Sequence, residues 1–136
     1  MKNSFILIAD DDADDRMLLE TAFHEIGYTG KIGFVSNGEE LTDYLDNLDG
    51  GIKPGVIILD LNMPRKSGIE VLKELRSKSV FEKVHIVVFS TTRNESEVQE
   101  CLNQGADSYF VKPINYNALL DFANGIDQFL ETDRNK

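Results

Sequence analysis

Short apolar runs alternate with amphipathic segments five times along the chain, and this alternation limits the possible folds more than any other feature. The third run, 56–59, is apolar at every position and lies between the turn residues Pro54 and Gly55 and the residues Asn62 and Pro64. Such a run predicts a strand buried on both faces, as in parallel sheets covered by helices. The repeated pattern predicts an α/β domain with a five-stranded parallel sheet and helices on both faces.

The spacing of apolar residues gives the approximate limits of each predicted element. The predicted strands are 5–9, 31–35, 56–59, 84–89 and 109–111, and helical spacing follows them at 16–26, 41–48, 69–75, 98–102 and 115–130. Segment 46–55 contains Gly50 and Gly51 and predicts a loop insertion. The polar tail from about Glu131 is predicted to fray, and no linker divides 1–136 into further domains.

Residues typical of helix N-caps precede most of the predicted helices. Asp12 directly precedes the first helix. At the second helix the cap-like residues 37–40 precede the apolar positions, and Ser36 with Glu39 is a candidate capping box. Ser67 with Glu70 predicts a capping box at the third helix. For the fourth helix two pairs fit equally, one starting at residue 92 and the other at residue 94.

Composition restricts the kinds of partner this chain can have. Its 136 residues are 41% hydrophobic and carry a formal net charge of −10, which repels nucleic acid and anionic lipid. We therefore expect no direct nucleic-acid or membrane binding. The single Cys101 cannot form an internal disulfide and is predicted to be a small core residue, and no signal peptide is apparent. These features favour a reducing cytoplasm. His24 and His85 lack a convergent set of ligands and are not predicted to bind metal.

Acidic, hydroxyl and basic residues follow four of the predicted strands. The first strand ends in Asp10, Asp11 and Asp12 and the third in Asp60, while Ser90 and Lys112 follow the fourth and fifth strands. The carboxyl ends of parallel strands share one edge of the sheet, so these side chains are expected to converge.

Converging carboxylates require a neutralising cation, and an oxygen-only donor set with a few carboxylates favours Mg²⁺. A carboxylate beside such an ion is able to attack a phosphoryl group. A nearby ammonium and hydroxyl would then stabilise the oxygens of the transferred group, and Lys112 and Ser90 supply these two groups.

In these residues the chain resembles the receiver domain of two-component response regulators. The resemblance rests on Asp10-Asp11, on Asp60 within the segment 59–64, on Ser90, and on Lys112-Pro113, and it extends over essentially the whole chain. It implies a flavodoxin-like, doubly wound (βα)5 fold with strand order 2-1-3-4-5.

The resemblance also implies roles for the site residues. Asp60 is expected to accept a phosphoryl group from a histidine kinase or phosphotransfer protein. Asp11 and the backbone carbonyl of Asn62 are expected to bind Mg²⁺ together with Asp60, and Asp10 acts mainly through bound water. The resemblance implies that the protein is not an enzyme in the usual sense, because it would catalyse only its own phosphorylation and dephosphorylation.

The family pattern further implies a conformational response. Ser90 is expected to move toward the phosphorylated aspartate and Tyr109 to turn inward with it, so that the face formed by helix 4, strand 5 and helix 5 contacts a downstream protein. The Lys112-Pro113 peptide bond is expected to be cis. Because only a short tail follows the last helix, we expect a stand-alone receiver without an output domain.

The chain departs from the common pattern in three places. Ser90 replaces the more frequent threonine, Thr91 replaces a smaller residue, and the segment 65–68 lacks the acidic residue that many members have before Gly68. The bulk of Thr91 is expected to change the access of water to a phosphorylated Asp60, whereas Ser67 replaces the missing helix cap.

Two other functions are compatible with parts of the sequence. A phosphohydrolase of the haloacid dehalogenase type would use Asp10 as nucleophile and Asp12 as acid and base, but it would leave Asp60 unexplained. A pseudo-receiver would keep the fold as a binding module without phosphorylation, and the intact acidic pair, hydroxyl and lysine argue against it.

Overall fold

The protein forms a single parallel sheet with helices on both faces. The computed structural model describes residues 5–48 and 53–134. The elements in chain order are β1 (Ile6–Ala9), α1 (Ala13–Glu25), β2 (Ile32–Val35), α2 (Gly38–Asp46), β3 (Val56–Leu59), α3 (Gly68–Ser77), a short 3₁₀ turn (Ser79–Phe81), β4 (His85–Ser90), α4 (Glu95–Asn103), β5 (Ser108–Val111) and α5 (Tyr116–Arg134). The strand order is β2-β1-β3-β4-β5, which confirms the predicted fold class.

Strand register brings the carboxyl ends of the central strands to one edge. Ala9 of β1 pairs with Leu59 of β3, and Leu59 pairs with Val88 of β4. All pairs are parallel, so the residues that follow β1 and β3 emerge side by side. The register therefore explains why Asp10 and Asp60 are neighbours although fifty positions separate them in the chain.

The strand side chains divide the core into two layers. Leu7 and Ile57 face the layer that contains α2, α3 and α4, whereas Ile6 and Ile58 face the layer that contains α1 and α5. Strands buried on both faces must be apolar at successive positions, which explains the uninterrupted apolar runs. Cys101 of α4 is fully buried in the first layer, as predicted.

The helix caps confirm most predictions and correct one. Asp12 caps α1, and Ser67 with Glu70 forms the predicted capping box of α3. For α2 the predicted Ser36–Glu39 box is wrong, because the helix starts at Gly38 and Asn37 is the N-cap. Instead of a capping box, the side chain of Asn37 accepts from the backbone N–H of Glu40 at 2.8 Å, and the backbone N–H of Ser36 donates to the carboxylate of Glu40 at 2.7 Å.

The structure settles two other boundaries. Asn94 accepts hydrogen bonds from the amides of Ser96 and Glu97, which selects one of the two caps considered for α4. The α5 helix extends to Arg134 and so includes the first residues of the predicted polar tail. The predicted loop 46–55 lies partly outside the described residues, and its described portion begins after α2 ends at Asp46.

In the described ranges, no helix is both long and apolar enough to span a bilayer.

Candidate functional site

Three carboxylates meet where β1 and β3 end. Asp10 and Asp60 are buried and Asp11 is exposed, and one carboxylate oxygen from each lies within 4.8 Å of the others. The adjoining backbone is tied into the sheet, because the amide of Asp10 donates to Val35 and the amide of Asp60 donates to Ala9. The sheet therefore holds the backbone of Asp10 and Asp60 in a fixed position, as the sequence predicted.

The donor set fits a hard divalent cation. All three side chains offer oxygen atoms, and one of them is open to solvent, an arrangement suited to an ion such as Mg²⁺ that retains some of its water. Asn62 is exposed near this cluster, and its backbone N–H donates to Oδ1 of Asp60 at 3.3 Å. This contact fixes the loop after β3 against the carboxylate of Asp60.

Burial makes the negative charge on Asp10 costly. Loss of hydration raises the pKa of Asp10 above its ordinary value, although hydrogen bonds from Lys112 and from the backbone N–H of Asp12 act in the opposite direction. The proximity of Asp60 raises this pKa further. The polar contacts of the site do not fully stabilise its negative charge. This charge favours the binding of a cation.

Lys112 places one ammonium group among the carboxylates. Its Nζ lies 2.8 Å from Oδ2 of Asp10, 2.8 Å from Oδ2 of Asp15 and 3.5 Å from Oδ2 of Asp60. Burial by itself would lower the pKa of Lys112, but hydrogen bonds to Asp10 and Asp15 and the charge of Asp60 outweigh it and raise this pKa. Lys112 is therefore a permanent positive charge beside Asp60.

The Lys112-Pro113 peptide bond is trans, so the predicted cis bond is wrong. The backbone N–H of Lys112 donates to the carbonyl of Ser90 at 2.8 Å, which continues the pairing of β5 with β4. With the trans isomer, which most Xaa-Pro bonds adopt, the side chain of Lys112 reaches the acidic cluster.

Ser90 and Tyr109 are connected through the loop after β4. Ser90 is fully buried, and its Oγ accepts a hydrogen bond from the backbone N–H of Thr92 at 3.4 Å. The hydroxyl of the half-buried Tyr109 donates to the carbonyl of Thr92 at 2.8 Å. Burial raises the pKa of Tyr109, with Ser90 acting against this shift. Both residues thus contact the segment that leads into α4.

Two contacts of the site were not predicted from the sequence. Asp15 binds Lys112, and the guanidinium of Arg16 donates to the backbone carbonyl of Asp10. Both Asp15 and Arg16 lie near the start of α1, and five of the six positions from 10 to 15 are aspartates. The Asp12 cap indicated where this helix begins, but which acid reaches Lys112 depends on how α1 packs against the sheet.

The structure does not favour the phosphohydrolase alternative. Oδ1 of Asp12 accepts hydrogen bonds from the amides of Asp14 and Asp15, so this side chain caps α1. The carboxylate of Asp10 is buried and bound by Lys112 and by the amide of Asp12. The predicted acid/base is thus engaged in capping α1, and the predicted nucleophile is the triad carboxylate with the shorter contact to Lys112, at 2.8 Å against 3.5 Å for Asp60. His24 and His85 lie outside the acidic cluster, and His85 stacks on Phe129 with ring centroids 4.1 Å apart.

Comparison with known proteins agrees with this geometry. The model of the response regulator receiver domain family matches residues 6–124. The response regulator Rcp1 of Synechocystis sp. is 30% identical over 138 aligned residues, which cover 93% of this chain and 88% of Rcp1. Some other curated relatives are longer, and the chain spans 38% and 55% of two of them.

Solved structures give the same result. The phosphorylated cyanobacterial phytochrome response regulator RcpA superposes with a TM-score of 0.86 at 28% identity, covering 96% of this chain and 95% of RcpA. The Mn²⁺-bound form of Rcp1 superposes with a TM-score of 0.82 at 26% identity and covers 93% of both chains. The acidic cluster, the strand order and the family match agree, and the chain therefore belongs to the response regulator receiver domain family, whose members accept phosphoryl groups in two-component signalling.

Proposed function

We propose that Asp60 is the phosphoryl-accepting residue of this receiver. The observation that carries this assignment is the position of Asp60, which is both a member of the carboxylate triad and a neighbour of the Lys112 ammonium. A carboxylate in this position has a negative oxygen for attack and a positive group beside it to stabilise the incoming phosphoryl oxygens. Asp10 has the same neighbours but is more tightly bound, at 2.8 Å from Nζ of Lys112.

The chemical step is a displacement at phosphorus. A carboxylate oxygen of Asp60 forms the new P–O bond while the P–N bond of a phosphohistidine breaks, and the bonding electron pair leaves with the imidazole nitrogen, which takes a proton from solvent. With acetyl phosphate as donor, a P–O bond breaks and acetate leaves with the electron pair. Lys112 keeps its proton throughout and acts through its charge.

Asp10, Asp11, Asp60 and the backbone carbonyl of Asn62 are the proposed ligands of Mg²⁺. When bound, this ion neutralises charge on the phosphoryl oxygens and on the carboxylates. The oxygen donors of the triad support the assignment, and the related Rcp1 has been crystallised with Mn²⁺. In this scheme Ser90 supplies a hydroxyl to the phosphoryl group from the end of the neighbouring strand β4.

The proposed partners are proteins. We infer that a histidine kinase or phosphotransfer protein donates the phosphoryl group in the cytoplasm. The α4–β5–α5 face would then contact a downstream protein. The bond from Tyr109 to Thr92 supports this route, because it connects β5 to the loop between Ser90 and α4.

Intact-mass measurement after incubation with acetyl phosphate and Mg²⁺ tests the proposal. We expect one added phosphoryl group on the wild-type chain and none on Asp60→Asn, which keeps the size of the side chain but removes its nucleophilic charge. Omission of Mg²⁺ should also suppress the reaction. Equal modification of the wild type and Asp60→Asn would contradict the assignment.

A further inference from the structure

Asp15 shares Lys112 with the two buried aspartates of the site. Its Oδ2 lies 2.8 Å from Nζ of Lys112, the same distance as Oδ2 of Asp10 and shorter than the 3.5 Å of Asp60. The side chain of Asp15 is 34% exposed, whereas that of Lys112 is 12% exposed. The strongest contacts of Lys112 are thus made away from the proposed phosphoryl acceptor.

Helix capping does not account for this arrangement. Asp14 and Asp15 both lie in the first turn of α1, where an acidic residue is favoured by the partial positive charge of the helix N-terminus. That effect applies equally to both residues, but only Asp15 contacts Lys112. Asp15 also lies outside the carboxylate triad of Asp10, Asp11 and Asp60, so a bound cation does not explain its position.

Asp15 competes with a phosphoryl group on Asp60 for the N–H donors of Lys112. Lys112 has three N–H groups, and the two short contacts direct two of them to Asp10 and Asp15. A phosphoryl group on Asp60 adds charged oxygens that also require these donors.

We propose that Asp15 is a positioning residue that holds Lys112 away from Asp60 and thereby slows phosphorylation. This inference rests on the proposed role of Asp60 as phosphoryl acceptor. For Lys112 to bind the incoming phosphoryl oxygens, its contact with Asp15 has to lengthen or break. Removing the charge of Asp15 weakens that contact and leaves Lys112 free to turn toward Asp60.

Phosphorylation by acetyl phosphate and Mg²⁺ tests the inference in four full-length chains: wild type, Asp15→Asn, Asp15→Glu and Asp14→Asn. Asp15→Asn should raise the second-order rate constant by about two- to five-fold, the range expected for losing one partly exposed charge contact. Asp14→Asn removes the same charge one residue away and should stay within about two-fold of wild type. Asp15→Glu restores a carboxylate and should also remain near wild type.

The direction of the rate change distinguishes a positioning role of Asp15 from a merely structural one. Replacing a residue that only supports the fold would leave the rate unchanged or lower it, whereas the proposed role requires a gain. The inference is overturned if Asp15→Asn is no faster than Asp14→Asn, or if Asp15→Glu gains as much as Asp15→Asn. If the wild type is not phosphorylated at all, the proposed function fails and this inference fails with it; if only the Asp15 effect is missing, the proposed function stands.

Discussion

At the scale of single residues, the stability of the site depends on Lys112. This ammonium compensates Asp10, Asp15 and Asp60, and Asp10 and Asp60 are both buried. Removing one partner of a buried ion pair leaves the remaining charge without compensation. The site is therefore a source of local instability that a cation or a lysine has to offset.

Lys112→Met tests this dependence. It keeps much of the apolar side chain but removes the charge, and it should lower the free energy of unfolding by about 2 to 4 kcal/mol in the absence of divalent cations. Urea unfolding measures this loss. Lys83→Met, at an exposed position outside the site, is the matched control and should change stability little. Equal losses in the two variants would contradict the assigned role of Lys112.

Tyr109→Phe tests the connection between β5 and the loop before α4. The variant loses only the hydroxyl that donates to the carbonyl of Thr92, so we expect a loss of about 0.5 to 1.5 kcal/mol in unfolding free energy. This hydrogen bond joins Tyr109 to Thr92 and not to the carboxylate triad. The rate of phosphorylation of the variant by acetyl phosphate should therefore stay close to that of the wild type. A large drop in that rate would instead place Tyr109 in the chemistry of the site.

At the scale of secondary structure elements, Glu74 of α3 connects this helix to the loop that follows β3. Its carboxylate accepts from Nζ of Lys66 at 2.6 Å and from Nζ of Lys78 at 3.3 Å. The hydrogen bond from Lys66 is the main cause that lowers the pKa of Glu74 below its ordinary value near 4.5. The charged form of Glu74 is therefore favoured in the folded protein.

The lowered pKa of Glu74 predicts a pH dependence of stability. A carboxyl group whose pKa is lower in the folded than in the unfolded chain stabilises the fold above the unfolded pKa, and this contribution is lost as the pH falls through the folded value. Glu74→Gln should thus cost about 0.5 kcal/mol at neutral pH, and the difference from wild type should shrink below about pH 4.5. Urea unfolding at several pH values checks this, and a difference that grows on acidification would contradict it.

Arg76 organises the turns at the amino-terminal ends of β4 and β5. Its guanidinium donates to the backbone carbonyls of Phe81, Val84 and Gly105 and to the carboxylate of Asp107. We expect Arg76→Lys to cost about 2 to 4 kcal/mol, because one ammonium cannot reproduce a planar group with five donors. Thermal and urea unfolding measure the loss; Arg93→Lys, at an exposed position, is the control and should be nearly neutral.

Sequence periodicity predicted the elements better than it predicted the contacts between them. The central strands β1, β3 and β4 were found within a few residues because burial on both faces requires apolar side chains at successive positions. For α2 the Ser36–Glu39 box was wrong, since Ser36 and Asn37 both suit an N-cap and only the helix start at Gly38 selects Asn37. The contacts of Arg76 and of Asp15 join segments distant in sequence, and no local pattern signals them.

At the scale of the whole molecule, the topology converts separate sequence motifs into one site. Strand order and register bring Asp10 and Asp60 together at the carboxyl edge of the sheet and place Lys112 beside them. These neighbours were predictable because parallel strands share that edge. The trans Lys112-Pro113 bond was not, because the preference for either isomer is small and depends on the surrounding fold.

The acidic site also predicts a response of the whole fold to divalent cations. A ligand that binds only the folded chain stabilises it by about 2.7 kcal/mol at a concentration one hundred times its dissociation constant. We therefore expect Mg²⁺ to raise the unfolding midpoint of the wild type and to have a much weaker effect on Asp11→Asn, which removes the exposed member of the triad. Asp43→Asn, at an exposed position of α2, is the control and should respond like the wild type. An equal response of Asp11→Asn would exclude Asp11 as a ligand.

Locating the modified residue shows whether Asp60 carries the phosphoryl group. Borohydride reduction of the chain after treatment with acetyl phosphate and Mg²⁺ converts a phosphorylated aspartate to homoserine, which peptide mass spectrometry then locates. We predict homoserine at position 60 and unmodified aspartate at Asp10 and Asp11, which share the acidic cluster. Homoserine at position 10 with an unchanged Asp60 would contradict this claim and revive the alternative in which Asp10 is the nucleophile.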